Sequence, residues 1–432
     1  MRLALLCEHK YVAMVNNFGD AEKTSEILER DGAVNIRDLY EVGKQSLKEQ
    51  NSAIFSNTSS ANDRISQFIG DKKNNEMETI FQGQSQQEKE PALEGEAVNY
   101  KKPLEKVIEE DSDIDFGRLV DPSHGTSALH EFVPATKIKG REDFILESDH
   151  YRYYSNTTDF PLKVEMELNF RIPDNLQLYT YEQGNISTFR SPRRTTTGVS
   201  SHFLLDGGSI LPPLALNIQP GDHVFDACAA PGGKSLLMLQ THLPKVLVSN
   251  DVTVSRCNRI RKVMEQFVYD FGSKWNNHRC VIRHEDARNT SEYEAYDKVL
   301  VDVPCTTDRR SAMTDENNVY KQSRIKERLR IPELQSAILE NCIRLLKPGG
   351  SLVYSTCSLS PIQNDGVVHM ALSTVFKNHG ISMTINDLSL VMQPLNSIMK
   401  FEHPKGLKYG QMVIPFLPAN FGPMYLCKMT RN

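Results

Sequence analysis

The second half of the chain alternates apolar, β-branched runs with segments of helical character. Runs near Val224–Asp226, Val246–Asn250, Val281–His284, Lys298–Val303 and Leu352–Ser355 read as strands. Helices are expected from Lys234 onward, over Arg256–Phe271 and over about Arg324–Leu346, the last closed by the stop signal Lys347-Pro348-Gly349-Gly350. Strands alternating with helices imply an α/β fold: an open, mostly parallel sheet with helices on both faces. This domain is placed at 200–432, with a smaller region before it.

That preceding region has a weaker pattern. Residues 1–50 read as helical, with a Val/Leu/Tyr-bearing segment from about Ala4 to Asn17 and a charged one around Asp20–Arg30. Over 51–150, Ser, Asn, Gln, Glu and Lys dominate, and Glu109-Glu110-Asp111-Ser112-Asp113-Ile114-Asp115 forms an acidic run. Such a stretch buries too little apolar area to offset its ordering entropy, so it reads as a disordered linker or an acidic interaction tail. Alternation returns in Leu162-Val164-Met166-Leu168 and in Leu176, Leu178, Tyr179 and Tyr181, which suggests a small β-rich element at 151–199. Arg190, Arg193 and Arg194, broken by Pro192, make a basic loop before the α/β domain.

Charge sharpens the division. Residues 1–150 carry 18 Lys+Arg against 29 Asp+Glu, net −11, and the remainder carries 32 against 26, net +6. The motif-bearing part is the basic one, as a polyanionic partner requires, although a mildly basic enzyme domain has the same balance. The eight cysteines form no CxxC pair and no Cys/His cluster at zinc spacing, so no metal site is expected and a reducing compartment is favoured. No apolar run reaches the roughly 18 residues of a membrane span. The opening Met1–Cys7 is too short and too quickly polar for a signal peptide, and is not an Arg/Ser-rich transit peptide.

Chemistry concentrates in three strings. Asp226-Ala227-Cys228-Ala229-Ala230-Pro231-Gly232-Gly233-Lys234-Ser235 leaves a strand and enters a helix. A P-loop needs a glycine where Cys228 stands, and the dinucleotide pattern G-x-G-x-x-G is absent. A nucleoside crevice of the methyltransferase kind remains, with Gly232 and Gly233 expected to let the backbone approach a cofactor without Cβ interference. Asp251, at the end of the second strand, suits two ribose hydroxyls, and Asp286, expected to close the third strand, suits an adenine amino group. Asp302 closes the fourth. Any one of these aspartates also fits a turn or a helix cap.

The other two strings are Val301-Asp302-Val303-Pro304-Cys305 and Ser355-Thr356-Cys357-Ser358, each with a cysteine just past a strand. Cys228, Cys280, Cys342 and Cys427 read as small buried hydrophobes and Cys257 as a bystander. A pair of thiols beside a nucleoside cofactor suits methylation of a pyrimidine C5. A thiolate adding to C6 makes C5 nucleophilic, and a second thiol assists release once the C5 proton has gone. Asp302 is placed to steady N3 and the amino group of the ring, and Lys234 to lower a thiolate pKa by its charge.

Together the three strings resemble the NOL1/NOP2/Sun family of RNA cytosine-5 methyltransferases. The resemblance implies a Rossmann-like class I fold that uses S-adenosylmethionine, with Cys357 as nucleophile and Cys305 as release thiol. It implies cofactor contacts at Cys228, Ala229, Ala230, Pro231, Gly232, Gly233, Lys234, Asp251, Arg256, Asp286, Ala287 and Asp302. Within the family, Cys305-Thr306-Thr307-Asp308-Arg309, the Ser323–Arg328 segment and Ala419-Asn420-Phe421-Gly422-Pro423-Met424-Tyr425 are similar to the member that modifies mitochondrial small-subunit ribosomal RNA. That likeness implies a mitochondrial matrix location, a role in ribosome assembly and a helical-repeat partner of the mitochondrial transcription termination factor family. The RNA cytosine is expected to be single-stranded or flipped out. A scaffold in ribosome assembly that does not depend on methylation, and a tRNA methyltransferase, are the alternatives. The basic segment Lys321–Arg330 reads equally as a phosphate contact or a solvated helix face.

Overall fold

A computed structural model describes residues 1–49, 160–316, 318–401 and 407–432. The acidic stretch 51–150 expected to be a linker lies outside the described residues. In chain order the strands begin with β1 (Tyr11–Val15), β2 (Val34–Asn35), β3 (Lys163–Met166), β4 (Leu178–Thr180) and β5 (His202–Asp206). They continue as β6 (His223–Asp226), β7 (Val246–Asp251), β8 (Cys280–His284), β9 (Tyr296–Asp302) and β10 (Leu346–Thr356), then β11 (Met383–Asp387), β12 (Gln411–Val413) and β13 (Met424–Arg431). The helices used below are α1 (Arg2–Leu6), α2 (Ala21–Arg30), α3 over 36–49, and α4 (Leu211–Ala215). After them come α5 (Gly233–Gln240), α6 (Val254–Phe267), α7 (Asp308–Met313), α8 (Ile325–Leu345) and α9 (Val367–His379).

The larger sheet has nine strands in the order β3-β11-β13-β10-β9-β6-β7-β8, with β12 paired to β13. Strands β10, β9, β6, β7 and β8 run parallel, and β13 inserts antiparallel between β10 and β11. The chain enters at β6, moves outward through β7 and β8, then returns to β9 on the other side. The switch point therefore lies between β6 and β9, where the carboxyl ends of a parallel sheet open into a ligand crevice.

Consecutive residues of these strands serve opposite faces. Val224, Leu247, Leu300 and Val353 join the core that holds Leu236 of α5 and Ile260 of α6. Phe225, Val248, Val299 and Tyr354 join the one that holds Leu339 of α8 and Val368 of α9. Both faces are covered, which is the class I methyltransferase arrangement and explains why these strands carry no polar alternation.

The N-terminal region keeps its expected helix in the charged segment, as α2, but departs from it before that: within the segment 4–17 only residues 4–6, the end of α1, are helical, and Tyr11–Val15 is a strand buried along all but its first residue. β1 sits inside a four-stranded antiparallel sheet of order β2-β4-β1-β5, pairing Tyr11 with Asp206 through Val15 with His202. A short apolar run buried on both faces has no period that separates strand from helix, and its partners come from residues 178–206, far along the sequence. The strands within 151–199 are also divided: β4 joins this small sheet, and β3 lies parallel to β11 at the edge of the large one. Helix α6 ends at Phe267 rather than Phe271, because Val268 is extended and Asp270 adopts left-handed backbone. The stop signal after α8 forms the irregular start of β10, where the register against β9 slips between Leu346 and Ser351.

Candidate active site

The turn after β6 is tied to both neighbouring strands. Ala227 N–H donates to Leu300 O of β9, and Ala229 N–H donates to Asn250 O of β7. Gly232 caps α5 with φ 110°, a backbone that only glycine adopts without strain. An added Cβ would sit in ordinary contact with protein at Gly232 and more tightly at Gly233. From Gly232 it would meet Ile260 Cα at 3.4 Å, and from Gly233 the Phe203 ring at 3.0 Å. Both glycines also let α5 pack closely, Gly232 against α6 and Gly233 against β5. Cys228 packs its side chain into the core near Cys342, and burial pushes its thiol well up.

The carboxylates gather at the strand ends. Asp226 is fully buried, accepts Ser235 Oγ at 2.6 Å through Oδ2 and has no partner for Oδ1. Burial pushes its pKa up to about 7, with the Asp302 and Asp251 charges adding to the rise and Ser235 and Lys234 opposing it. Asp251 is also buried. Its Oδ2 accepts Ala230 N–H at 3.3 Å and pairs with Arg256 at 3.2 Å, and its Oδ1 accepts Thr253 N–H at 3.2 Å. Arg256 also donates to Ala230 O, so that one guanidinium locks the turn to the end of β7. Lone pairs left on Asp251 suit the two hydroxyls of a ribose, and the turn with its buried acid therefore fits a nucleoside cofactor.

Asp286 departs from its expected place. β8 ends at His284, because the Asn250 amide accepts Glu285 N–H and donates to Glu285 O and Ala227 O, drawing the chain off the ladder. The Asp286 carboxylate is gripped by the Arg288 side chain, which holds its pKa below the usual range. Ala287 is buried, and its carbonyl accepts Asn341 Nδ2 at 2.8 Å.

β9 and β10 are adjacent and in register at Asp302 and Ser355. This pairing places the two thiols side by side, with Cys305 Sγ 3.0 Å from Cys357 Sγ and both residues half-buried. Asp302 accepts Lys234 Nζ at 2.8 Å through one oxygen and Ser355 Oγ at 2.8 Å through the other. The Cys357 thiol is pushed well up, first by its contact with Cys305, then by burial and by the Cys305 and Asp302 charges. Lys234 pulls it down, as expected of its charge, but does not outweigh these effects. Cys257, Cys280, Cys342 and Cys427 are buried away from the pair, and Cys257 Sγ lies 3.4 Å from the carbonyls of Asp251 and Arg283.

Several residues of this site escaped the sequence reading. Asn250 pins the crevice walls, Ser355 fixes Asp302, and Gln363 accepts Thr306 N–H at 3.1 Å beside Cys305. Their only signal is position next to a strand end, which many polar residues share. In the basic segment, Arg324 pairs with Glu327 while Lys321, Lys326 and Arg330 are exposed, a pattern common to both of its readings. Among the described residues no His/Cys/Asp/Glu group forms a metal site, and no helix is long and apolar enough to cross a membrane.

Known proteins match this chain over the same region. A family profile described as 16S rRNA methyltransferase RsmB/F matches residues 213–408. The 5-cytosine rRNA methyltransferase nsun-4 of Caenorhabditis elegans is 39% identical over 71% of this chain and 62% of its own length. The 5-cytosine rRNA methyltransferase NSUN4 of Mus musculus is 42% identical over 60% of this chain and 67% of its own. The mitochondrial tRNA (cytosine(34)-C(5))-methyltransferase of Danio rerio is 33% identical over 66% and 72%. The chain thus spans a little under two thirds of the nematode relative and somewhat more of the other two.

Proposed function

The chain belongs to the NOL1/NOP2/Sun family of RNA cytosine-5 methyltransferases, and on that premise we propose that it methylates carbon 5 of a cytosine in mitochondrial small-subunit rRNA. The observation that carries the reading is the 3.0 Å approach of Cys305 and Cys357 beside the Lys234–Asp302 pair. The turn from Cys228 to Lys234, with Asp251, Arg256, Asp286, Ala287 and Asp302, would hold S-adenosylmethionine. When bound, that cofactor supplies an electrophilic methyl group.

The Cys357 thiolate adds to C6 of the cytosine, and the electron pair of the C5–C6 double bond moves onto C5 and the conjugated N3 edge. Asp302, fixed by Lys234 and Ser355, accepts from the 4-amino group, the Lys234 charge offsets the negative charge that builds on the N3 edge, and C5 becomes the nucleophile. After methylation a base takes the C5 proton. Its electron pair re-forms the C5–C6 bond as the C6–S bond breaks, and Cys305 assists the departure of Cys357. The contact with Cys305 and burial push the Cys357 thiol up and so oppose thiolate formation, and the Lys234 charge works against them.

The test is an RNA carrying 5-fluorocytidine, from which no C5 proton can be removed. Cys357→Ala is expected to abolish the covalent protein–RNA adduct, and Cys305→Ala to retain it. An adduct that persists in Cys357→Ala and vanishes in Cys305→Ala would reverse the roles, and persistence in both would end the thiol assignment. Bisulfite sequencing of mitochondrial and cytosolic RNA after depletion identifies the substrate. The match to a mitochondrial tRNA methyltransferase makes a tRNA cytosine the second reading. Association with a mitochondrial transcription termination factor family protein is part of the same proposal, tested by co-purification from mitochondria. Rescue of ribosome assembly by Cys357→Ala would favour the scaffolding role.

A further inference from the structure

We propose that Asp308 is a positioning residue that clamps the loops carrying Cys305 and Cys357 at reacting distance. The proposal rests on the assignment of those thiols as the reacting pair. Cys305 and Cys357 lie beyond the ends of two different strands, and strand pairing stops short of both: the last β9–β10 partners are Asp302 and Ser355. Beyond that point something else has to hold the loops together.

Asp308 does so with both carboxylate oxygens. Oδ1 accepts Thr306 Oγ1 and Tyr320 Oη, the latter at 2.8 Å. Oδ2 accepts Leu359 N–H at 2.6 Å and Ser358 Oγ at 3.3 Å. Thr306 directly follows Cys305 and Ser358 directly follows Cys357. One carboxylate therefore ties the residue after each thiol, and draws the Thr306 and Ser358 hydroxyl oxygens to 2.8 Å from each other.

Both of those hydroxyl residues are buried, at 1% and 0% exposure, so water does not compete for their bonds to Asp308. Among the described residues no Lys or Arg forms an ion pair with Asp308; its charge is held by donors from the two loops and Tyr320. Thr307 between them adopts left-handed backbone at φ 45°, a costly state for a β-branched residue. A carboxylate is suited to this task because it accepts from two loops at once, whereas an amide offers one oxygen and a hydroxyl fewer directions.

The direct test reads thiol geometry rather than methylation. Dibromobimane, which becomes fluorescent on bridging two thiols, is expected to link Cys305 to Cys357 in the wild-type full chain and not in Cys305→Ser. In Asp308→Ala the bridging rate is expected to fall about tenfold, and turnover on cytidine-containing RNA by about tenfold or more. KM and S-adenosylhomocysteine affinity should stay within about twofold, the pattern of lost positioning rather than lost binding. Asp308→Asn, which keeps the size and one acceptor, should lie between, and it serves as the readout if Asp308→Ala does not fold. Tyr320→Phe removes a donor that belongs to neither loop and should bridge like wild type. Unchanged bridging in both Asp308 variants would overturn the clamp. Slowed bridging with full turnover would instead overturn the reading of the two thiols as the reacting pair.

Discussion

The Lys234 ammonium sits 2.8 Å from the Asp302 carboxylate and close enough to Cys357 for each to alter the other's proton affinity. Burial alone would lower the Lys234 pKa, yet the Asp302 charge and hydrogen bond, with Cys357, raise it on balance, so the side chain stays charged. Because Lys234 pulls the Cys357 thiol down, Lys234→Met is expected to push it further up. The pH profile of adduct formation with 5-fluorocytidine RNA should then move to the alkaline side. Adduct formation at neutral pH should fall about tenfold for every pH unit by which the profile moves. Lys234→Arg keeps the charge and should move it less. A Lys234→Met profile that overlays wild type would show that Lys234 does not act on the nucleophile.

Asp226 gives a second pH signature. Burial raises its pKa from 3.8 to about 7, so the folded chain keeps a proton that the unfolded chain has lost across that window. Its contribution is fully present below about 4 and is lost as pH rises through about 7, with a ceiling on the order of a few kcal/mol. Asp226→Asn retains an acceptor for Ser235 but cannot ionise. Its urea unfolding free energy should be lower than wild type at mildly acidic pH, where an amide hydrogen replaces the unpartnered oxygen, yet fall less steeply towards neutrality. Equal slopes for the two proteins would remove Asp226 as the titrating group.

The same strand ends mark what the sequence made visible and what it did not. β6, β7, β9 and α8 are found within two residues of their expected limits, because their runs are bounded by turn chemistry on both sides. The meeting of Cys305 with Cys357 was also legible, since each follows a strand and β9 and β10 are neighbours in a parallel sheet. β1 was not, because its hydrogen-bond partners are residues 202–206, and no local period in Tyr11–Val15 announces them. Nor were the packing neighbours of Gly232 and Gly233, Ile260 and Phe203, which come from other elements. Asp308 was visible only as part of a string; its four donors come from three segments that only the fold assembles.

Gly232→Ala follows from that packing. The substitution forces a side chain into φ 110°, a strained backbone for any residue with a Cβ, while the Cβ itself meets Ile260 at an ordinary 3.4 Å. A stability loss of about 1–3 kcal/mol is expected, together with weaker S-adenosylhomocysteine binding, since the turn also positions Ala230 against Asp251. Gly233→Ala has ordinary backbone and meets only the edge of the Phe203 ring, so its cost should be smaller. Thermal melts with and without ligand measure both, and a Gly233→Ala variant less stable than Gly232→Ala would contradict this account.

Arg309, one residue beyond Asp308, ties the first residues of the chain to the loop that follows Cys305. Its guanidinium donates to Ala4 O and Cys7 O at 3.0 Å, to Gly422 O at 2.7 Å and to Asn420 Oδ1 at 2.9 Å. Asn420 in turn donates to Ala4 O and Glu8 O, so one Arg–Asn pair collects the carbonyls at the end of α1. A five-residue helix does not persist by itself, and its order depends on these contacts. Arg309→Ala should therefore raise amide hydrogen exchange over residues 2–8 by about tenfold or more, while β6–β10 keep their protection. Arg309→Lys retains a charge but not the planar fork that reaches several carbonyls at once, and should recover little of the protection. Because Arg309 and Asp308 share the first turn of α7, loosening at Arg309 should also slow bimane bridging of Cys305 and Cys357, though less than Asp308→Ala does. Unchanged exchange at residues 2–8 in Arg309→Ala would mean that Asn420 and packing hold α1 without Arg309.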